Sequence, residues 1–212
     1  LGTQPDFLFI NACKKDVLEA DPTNIISEEI DAFTIGLDCL KELTKQKVYL
    51  STSSNIEFED LDVEQYVFDG KYPSGNSSLH IQNIQPMTKN TKTWTINWQD
   101  VLRIGKSLAS GNFCNENYVS LCGPACNSPK LIKTNLGANM QEIAAGTFDG
   151  EVRKVAGSLL YGRYGDSYSD YLTRHSNQIS LVIDEPKATF FNWLKPGAPV
   201  SYTHLTLPTT YT

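Results

Sequence analysis

The chain of 212 residues contains no run of about 18 apolar residues, the length that a bilayer-spanning helix needs. It lacks an excess of positive charge: 18 Lys and Arg face 24 Asp and Glu, for a net charge of −6. A phosphate-binding surface needs the opposite balance, which argues against nucleic acid as the main partner. No G-x-G-x-x-G and no Walker sequence occurs, so neither glycine fingerprint for nucleotide phosphates is present. No H-x-x-x-H or His–Cys pair occurs among the three histidines, which argues against a metal site. No G-x-S-x-G elbow supports a serine hydrolase, because Ser74 before Gly75 lacks the first glycine. The N-terminus, Leu-Gly-Thr-Gln-Pro, has neither the basic start nor the apolar core of a signal peptide, and no initiator Met. The chain is therefore expected to be an internal fragment.

What is present is ordinary for a water-soluble domain: 40% hydrophobic and 20% charged residues, in a length sufficient for one or two domains. The five cysteines (Cys13, Cys39, Cys114, Cys122, Cys126) are odd in number and irregular in spacing. They read as free thiols of a reducing compartment rather than a disulfide framework. Cys122 and Cys126, close to Gly123, Pro124 and Pro129, are expected in a loop.

The first half alternates strand and helix patterns. Phe7 to Ile10 is a continuous apolar run, which predicts a buried strand of the parallel type. Asp21 to Asn24 reads as a turn. Ser27 then caps a helix from Glu28 to about Lys45, with Ile30, Phe33, Leu37 and Leu40 at helical spacing. Val48 to Ser51 is the next strand, completing a βαβ unit. Ser51 to Asp62 is an acidic surface loop. Tyr66 and Phe68 alternate toward Asp69-Gly70, a Pro73-Ser-Gly75 turn follows, and Leu79 to Ile84 predicts a further strand carrying His80. Thr88 to Thr93 is a polar link. Asn97 caps a helix from Trp98 to Ser110, with Asp100 as a capping-box analogue, an apolar face of Val101, Leu102, Ile104 and Leu108, and Gly111 as terminator.

Beyond Phe113 the pattern changes to short strands at Tyr118–Leu121, Lys130–Thr134, Glu151–Leu160 and Gln178–Asp184, around one short helix at Met140–Ala145. Gly162 to Asp170 reads as a loop. These features predict a Rossmann-like parallel α/β region over residues 1–112, then a small β-grasp-like α+β module with return strands over 113–198. Residues 199–212, rich in Thr and almost uncharged, resemble a translated adapter and are expected not to be native.

Each candidate chemistry has a plainer competitor. The loop after Ile10 is Asn-Ala-Cys-Lys-Lys-Asp, without glycine; Lys14 and Lys15 could hold an anion, but read better as a solvated pair. Asp69-Gly70 and Pro73-Ser-Gly75 could cradle a flat ligand, or be a tight loop in which glycine supplies positive φ. Trp94, Trp98, Tyr66, Tyr72 and Tyr118 could line an aromatic pocket of quinone size, though such aromatics more often pack cores and interfaces. His80 reads as an edge or packed histidine. No catalytic, cofactor-binding or metal-binding residue is assigned.

As strings, several segments resemble one family. Glu64–Gly75, with His80 and Pro86, is similar to a V-F-D-G-x-x-P-x-G…H…P pattern. Glu29–Tyr49 resembles F-x-x-G-L-x-x-L…L-T…K-V-Y, and Trp94–Val101 resembles W-S-I-N-Y-Q-D-V. Leu121–Pro129 with Leu136–Ala138, Gly150–Arg153 with Gly157–Leu160, and Phe191–Trp193 with Pro196–Gly197 follow in the family's order. The family is the A subunit of the bacterial Na+-translocating NADH:quinone reductase, and the resemblance covers residues 5–198, departing at Cys122 and Cys126. It implies a peripheral subunit held on the cytoplasmic face of the inner membrane through the membrane-embedded B subunit of a six-subunit complex. That complex oxidises NADH, reduces quinone and exports Na+. The resemblance implies a fold like that of the flavin-binding subunit of respiratory complex I but without the flavin. NAD, FAD, FMN, riboflavin and 2Fe-2S are expected in other subunits, and ubiquinone or menaquinone is the ligand associated with this one. The alternatives are the C subunit of an Rnf-type electron-transport complex, which would bind flavin and NADH, and a freestanding hydrolase or transferase.

Overall fold

The computed structural model describes residues 4–56, 63–164 and 170–184. The expected adapter-like tail, the Phe191–Gly197 motif and the end of the acidic loop lie outside these residues.

The first region is built on β1 (Phe7–Ala12), every residue of which is buried. The continuous apolar run reflects its place inside a parallel sheet, with β2 (Lys47–Thr52) on one side and β4 (Thr93–Asn97) on the other. The strand β3 (Glu64–Val67) pairs in parallel with β2, giving the order β3-β2-β1-β4.

Between β1 and β2 the chain forms two helices, α1 (Pro22–Glu28) and α2 (Ile30–Leu43), where the pattern predicts one. The expected turn at Asp21–Asn24 is the start of α1: Asp21 Oδ1 accepts from Thr23 N at 2.9 Å and Pro22 occupies the first turn, where its missing N–H costs nothing. Ser27 is therefore no cap; its hydroxyl donates to the Thr23 carbonyl at 2.9 Å. The helices break at Glu29, with φ −119° and ψ 37°.

The α2 face of Phe33, Leu37 and Leu40 packs with Leu8, Ile10, Val101 and Leu102 in the first core. The last two come from α4 (Trp98–Ser110), which ends at left-handed Gly111 (φ 70°) as the pattern requires. Leu108 is exposed at 55%, so the apolar face of α4 is narrower than expected.

The predicted strand over residues 79–84 is a helix, α3 (Ser77–Ile84). Asn76 caps it, accepting from Ser78 N at 3.2 Å. Ile81 and Ile84, three residues apart, lie on Phe7, Phe9 and Tyr49, covering the sheet face opposite α2 and α4.

The second region is a mixed five-stranded sheet around α5 (Met140–Ala144). Its strands are β5 (Glu116–Cys122), β6 (Lys130–Asn135), β7 (Val152–Ala156), β8 (Arg163–Tyr164) and β9 (Gln178–Ile183), in the order β6-β5-β9-β7-β8. β5 and β9 run parallel, and the other pairs are antiparallel. A hairpin, a short helix and a central parallel strand make this a β-grasp-type α+β module. Its core is Val119, Leu121, Met140, Ile179 and Leu181. Cys122 ends β5 rather than lying in a loop.

Candidate functional site

In a parallel sheet, ligands sit at the carboxyl ends of the strands, where the chain order reverses. Here that point falls between β1 and β4, because β2 and β3 follow on the other side of β1. A cavity of about 640 Å³ opens there and runs along β4. Its apolar arm includes Leu8, Leu40, Leu43 and Ile96, with Trp94 half exposed at its mouth. Its polar end is formed by Asn11, Lys15, Ser77, Asn97, Asp100 and Arg174.

The polar end is organised by hydrogen bonds between distant segments. Asn11 Nδ2 donates to the Gly75 carbonyl (2.9 Å) and to Ser77 Oγ (2.8 Å), while its Oδ1 accepts from Cys13 N (3.0 Å). This pins the Pro73–Gly75 turn onto the loop after β1. Gly75 is needed for that approach: a Cβ would run into the Lys14 carbonyl oxygen. Neither Gly70 nor Gly75 takes positive φ, so their expected role as left-handed turn residues is replaced by close contact.

The loop after β1 is closed by Glu19. Its buried carboxylate accepts from Lys15 N (2.9 Å), Asp16 N (3.2 Å) and Asn177 Nδ2 (2.7 Å). The loop N–H groups that a phosphate would need are thus taken by an internal carboxylate. Burial raises the Glu19 pKa against the opposing pull of these three bonds.

Asp100 does not complete a capping box with Asn97. It accepts from Arg103 and, at 2.9 Å, from Arg174 Nε of the second region. Burial pushes its pKa up, but the two guanidinium groups outweigh it and hold the carboxyl below its usual range.

The five aromatics do not line one pocket; most of them pack, which is the plainer reading. Trp98 is buried against Tyr118 at 6.1 Å between the two regions, and Tyr66 lies against Tyr49. Tyr72 meets Tyr161, and Trp94 alone of the five lines the main cavity. His80 is buried on α3, its ring against Phe68, with Nε2 donating to the Ser74 carbonyl at 2.7 Å. Burial lowers its pKa, which keeps the imidazole neutral and structural. Lys14 is exposed, whereas Lys15 reaches the cavity.

Burial pushes the thiols of Cys13 to about 12 and Cys122 to about 11. At neutral pH neither is an activated nucleophile. Among the described residues no cluster of His, Cys, Asp or Glu is arranged to hold a metal ion. No helix among them is long and apolar enough to cross a membrane.

Sequence reasoning missed Asn11, Glu19 and Arg174. Asn11 carries a faint signal, a polar residue within a strand buried throughout; the other two are recruited only by the fold.

A parallel α/β region joined to a β-grasp module, with its cavity at the strand switch point, defines an α/β protein of two-part design. Residues 1–113 match the family described as NqrA second alpha/beta domain, and residues 118–165 the family described as NQRA C-terminal domain. The chain belongs to the NqrA family, the A subunits of Na(+)-translocating NADH-quinone reductases. It is 37% identical over 196 residues to that subunit of Mannheimia succiniciproducens, covering 92% of this chain and 44% of the relative. It is 36% identical over 200 residues to that of Vibrio atlanticus, covering 93% and 45%. The corresponding protein of Neisseria meningitidis serogroup B is also 36% identical over 200 residues, covering 92% and 45%. The chain thus spans less than half the length of these relatives. These matches do not favour the Rnf alternative. The fold also resembles a chain from the crystal structure of NAD+-reducing [NiFe]-hydrogenase in the air-oxidized state. The TM-score is 0.57 at 12% identity, over 84% of this chain and 40% of that one.

Proposed function

We propose that this chain forms part of a non-redox, peripheral NqrA subunit in a Na+-translocating NADH:quinone oxidoreductase. The whole complex couples NADH oxidation and quinone reduction to Na+ export. The observation that carries this reading is the match of both structural halves, in order, to successive domains of NqrA. In this reading the subunit sits at the cytoplasmic face of the inner membrane against the B subunit. The flavins, the NAD site and the 2Fe-2S centre lie in other subunits.

The chain's own role is assembly and quinone docking. The apolar arm beside β4 supports docking, since Leu8, Leu40, Leu43 and Ile96 offer a surface for an apolar ring or tail of ubiquinone or menaquinone. The occupied N–H groups of the β1 loop support a site without flavin phosphate.

The test is a titration of the full-length natural protein, without the adapter-like tail, against FMN, NADH and a soluble quinone analogue. Saturable quinone binding without flavin or NADH binding is expected. Tight binding of FMN or NADH would overturn the non-redox reading. Binding of none would leave assembly as the role.

A further inference from the structure

Glu19 is buried where its neighbours are not. Val17 and Leu18 stand 70% and 43% exposed on the same loop, while the carboxylate that follows them is turned inside. Burial preference alone would arrange the three the other way round, since apolar side chains gain by leaving water and a carboxylate loses. Hydrogen bonds hold the carboxylate in. Its Oε2 accepts from the consecutive N–H groups of Lys15 and Asp16, and its Oε1 from Asn177 Nδ2. No ion pair neutralises it among the described residues; the charge of Lys15 pulls on it least of all its surroundings, and burial weighs most. A neutral glutamine would offer the loop an acceptor without the cost of burying a charge. Satisfying two N–H groups does not by itself account for a charge there.

Successive backbone N–H groups converging on one oxygen form the kind of concavity that holds anions. Here the loop that carries them follows β1 at the carboxyl end of the parallel sheet and borders open space on several sides. Lys15 lines the cavity along β4, and with Asp16 it lines two neighbouring cavities of about 440 and 500 Å³. Room for a ligand therefore lies beside the loop, while the anion position on its N–H groups is filled by the chain itself. The wall of the larger neighbour is balanced, with Lys14, Lys15 and Lys71 against Asp16, Asp21 and Asp69. The buried charge of Glu19 tips these surroundings negative.

We propose that Glu19 is the residue that excludes phosphorylated ligands from the loop after β1. Its carboxylate occupies, from within the chain, the position in which the loop would hold a phosphate monoester. This specificity role rests on the non-redox reading for its meaning in the subunit, and the two can fail separately.

The experiment is calorimetric titration of the full-length natural protein, of Glu19→Ala and of Glu19→Gln with inorganic phosphate and, separately, with formate. Melting temperatures are measured in each anion. The natural protein should show no saturable binding. Glu19→Ala should bind phosphate at one site, at least about tenfold more tightly than Glu19→Gln, which keeps the loop N–H groups occupied. Its melting temperature should rise with phosphate while that of the natural protein does not. Formate probes the place of the lost carboxyl group: binding of formate without phosphate would show room for a carboxylate only and would overturn the proposal. Equal phosphate binding by the natural protein and Glu19→Ala, or none by either, also overturns it. If Glu19→Ala folds only when phosphate is present, the proposal stands; if neither anion restores the fold, it falls. Tight FMN binding by the natural protein overturns the non-redox reading, whereas a missing gain in Glu19→Ala overturns the role of Glu19 alone.

Discussion

At the scale of single residues, the most consequential choice in this chain is a carboxylate placed between two guanidinium groups. Asp100 is 6% exposed and bound by Arg103 from its own helix and Arg174 from the second region. Its folded pKa lies below the ordinary Asp value of about 3.9, which the unfolded chain regains. A depressed carboxyl contributes stability above the unfolded pKa and loses it as pH falls through the folded one. Unfolding free energy measured against pH should therefore drop through and below about pH 4. The drop should be shallower in Asp100→Asn. At pH 7 that variant should be less stable by about 3 kcal/mol, because Arg103 is left buried without its counter-ion. An unchanged acid limb would show that Asp100 contributes nothing to it. Glu19 works in the opposite sense: its raised pKa favours the fold at low pH and weakens it as pH rises through that value.

At the scale of elements, α2 and α4 cross closely because glycine meets backbone on both sides. A Cβ on Gly105 would fall far inside contact distance of the Ala32 carbonyl oxygen, and one on Gly36 would strike the Val101 carbonyl oxygen. Alanine is the better helix former by up to about 1 kcal/mol, but overpacking at a fixed crossing costs about 1–3 kcal/mol or more. The second effect wins. Gly105→Ala should lower the urea unfolding free energy by about 2 kcal/mol; a neutral or stabilised variant would mean that the helices can move apart.

The same scale explains what is legible in the sequence. β1, α2 and the end of α4 follow from a continuous apolar run, a 3.6-residue period and a glycine at the right place. Residues 79–84 read as a strand because Leu79, His80 and Ile81 alternate over a stretch too short to separate periods of two and 3.6. Capping by Asn76 and the docking of Ile81 and Ile84 on Phe7, Phe9 and Tyr49 decide for the helix. Nothing in the local pattern predicts β4: its side chains Thr93 to Thr95 are largely polar or exposed because it lies at the sheet edge.

At the scale of the whole molecule, the two regions are joined by polar contacts as much as by apolar ones. The Gln99 amide binds both backbone groups of Tyr118, accepting from N at 2.8 Å and donating to O at 2.9 Å, and also reaches Asn177. Ala20 N donates to Ser120 Oγ at 2.8 Å. Glu29, Lys106, Glu116 and Lys133 form a balanced cluster beside Tyr118, with Lys133 to Glu116 at 3.0 Å. Gln99→Leu would strand the Tyr118 N–H and carbonyl, at about 1–3 kcal/mol for each buried group. Denaturation followed by tryptophan fluorescence and far-ultraviolet circular dichroism should show one shared transition in the natural protein and an earlier, separated first-region transition in Gln99→Leu. Coincident, unshifted curves would show that the clamp does not couple the regions.

By itself the sequence determined the alternation of strand and helix in the first half, the short-strand character of the second, and the ordered motifs by which the chain resembles its family. All of these are carried by residues near one another along the chain. The tertiary structure alone decided the site. Asn97 Oδ1 is left without a partner among the described residues, Glu19 closes the β1 loop with help from Asn177, and Gly75 admits the Lys14 carbonyl. Each depends on whether a polar group or a backbone finds a neighbour across the fold, and Glu19 and Asn177 are 158 residues apart. Hydrogen-bond satisfaction and close approach depend on distance in space, which local periodicity does not encode.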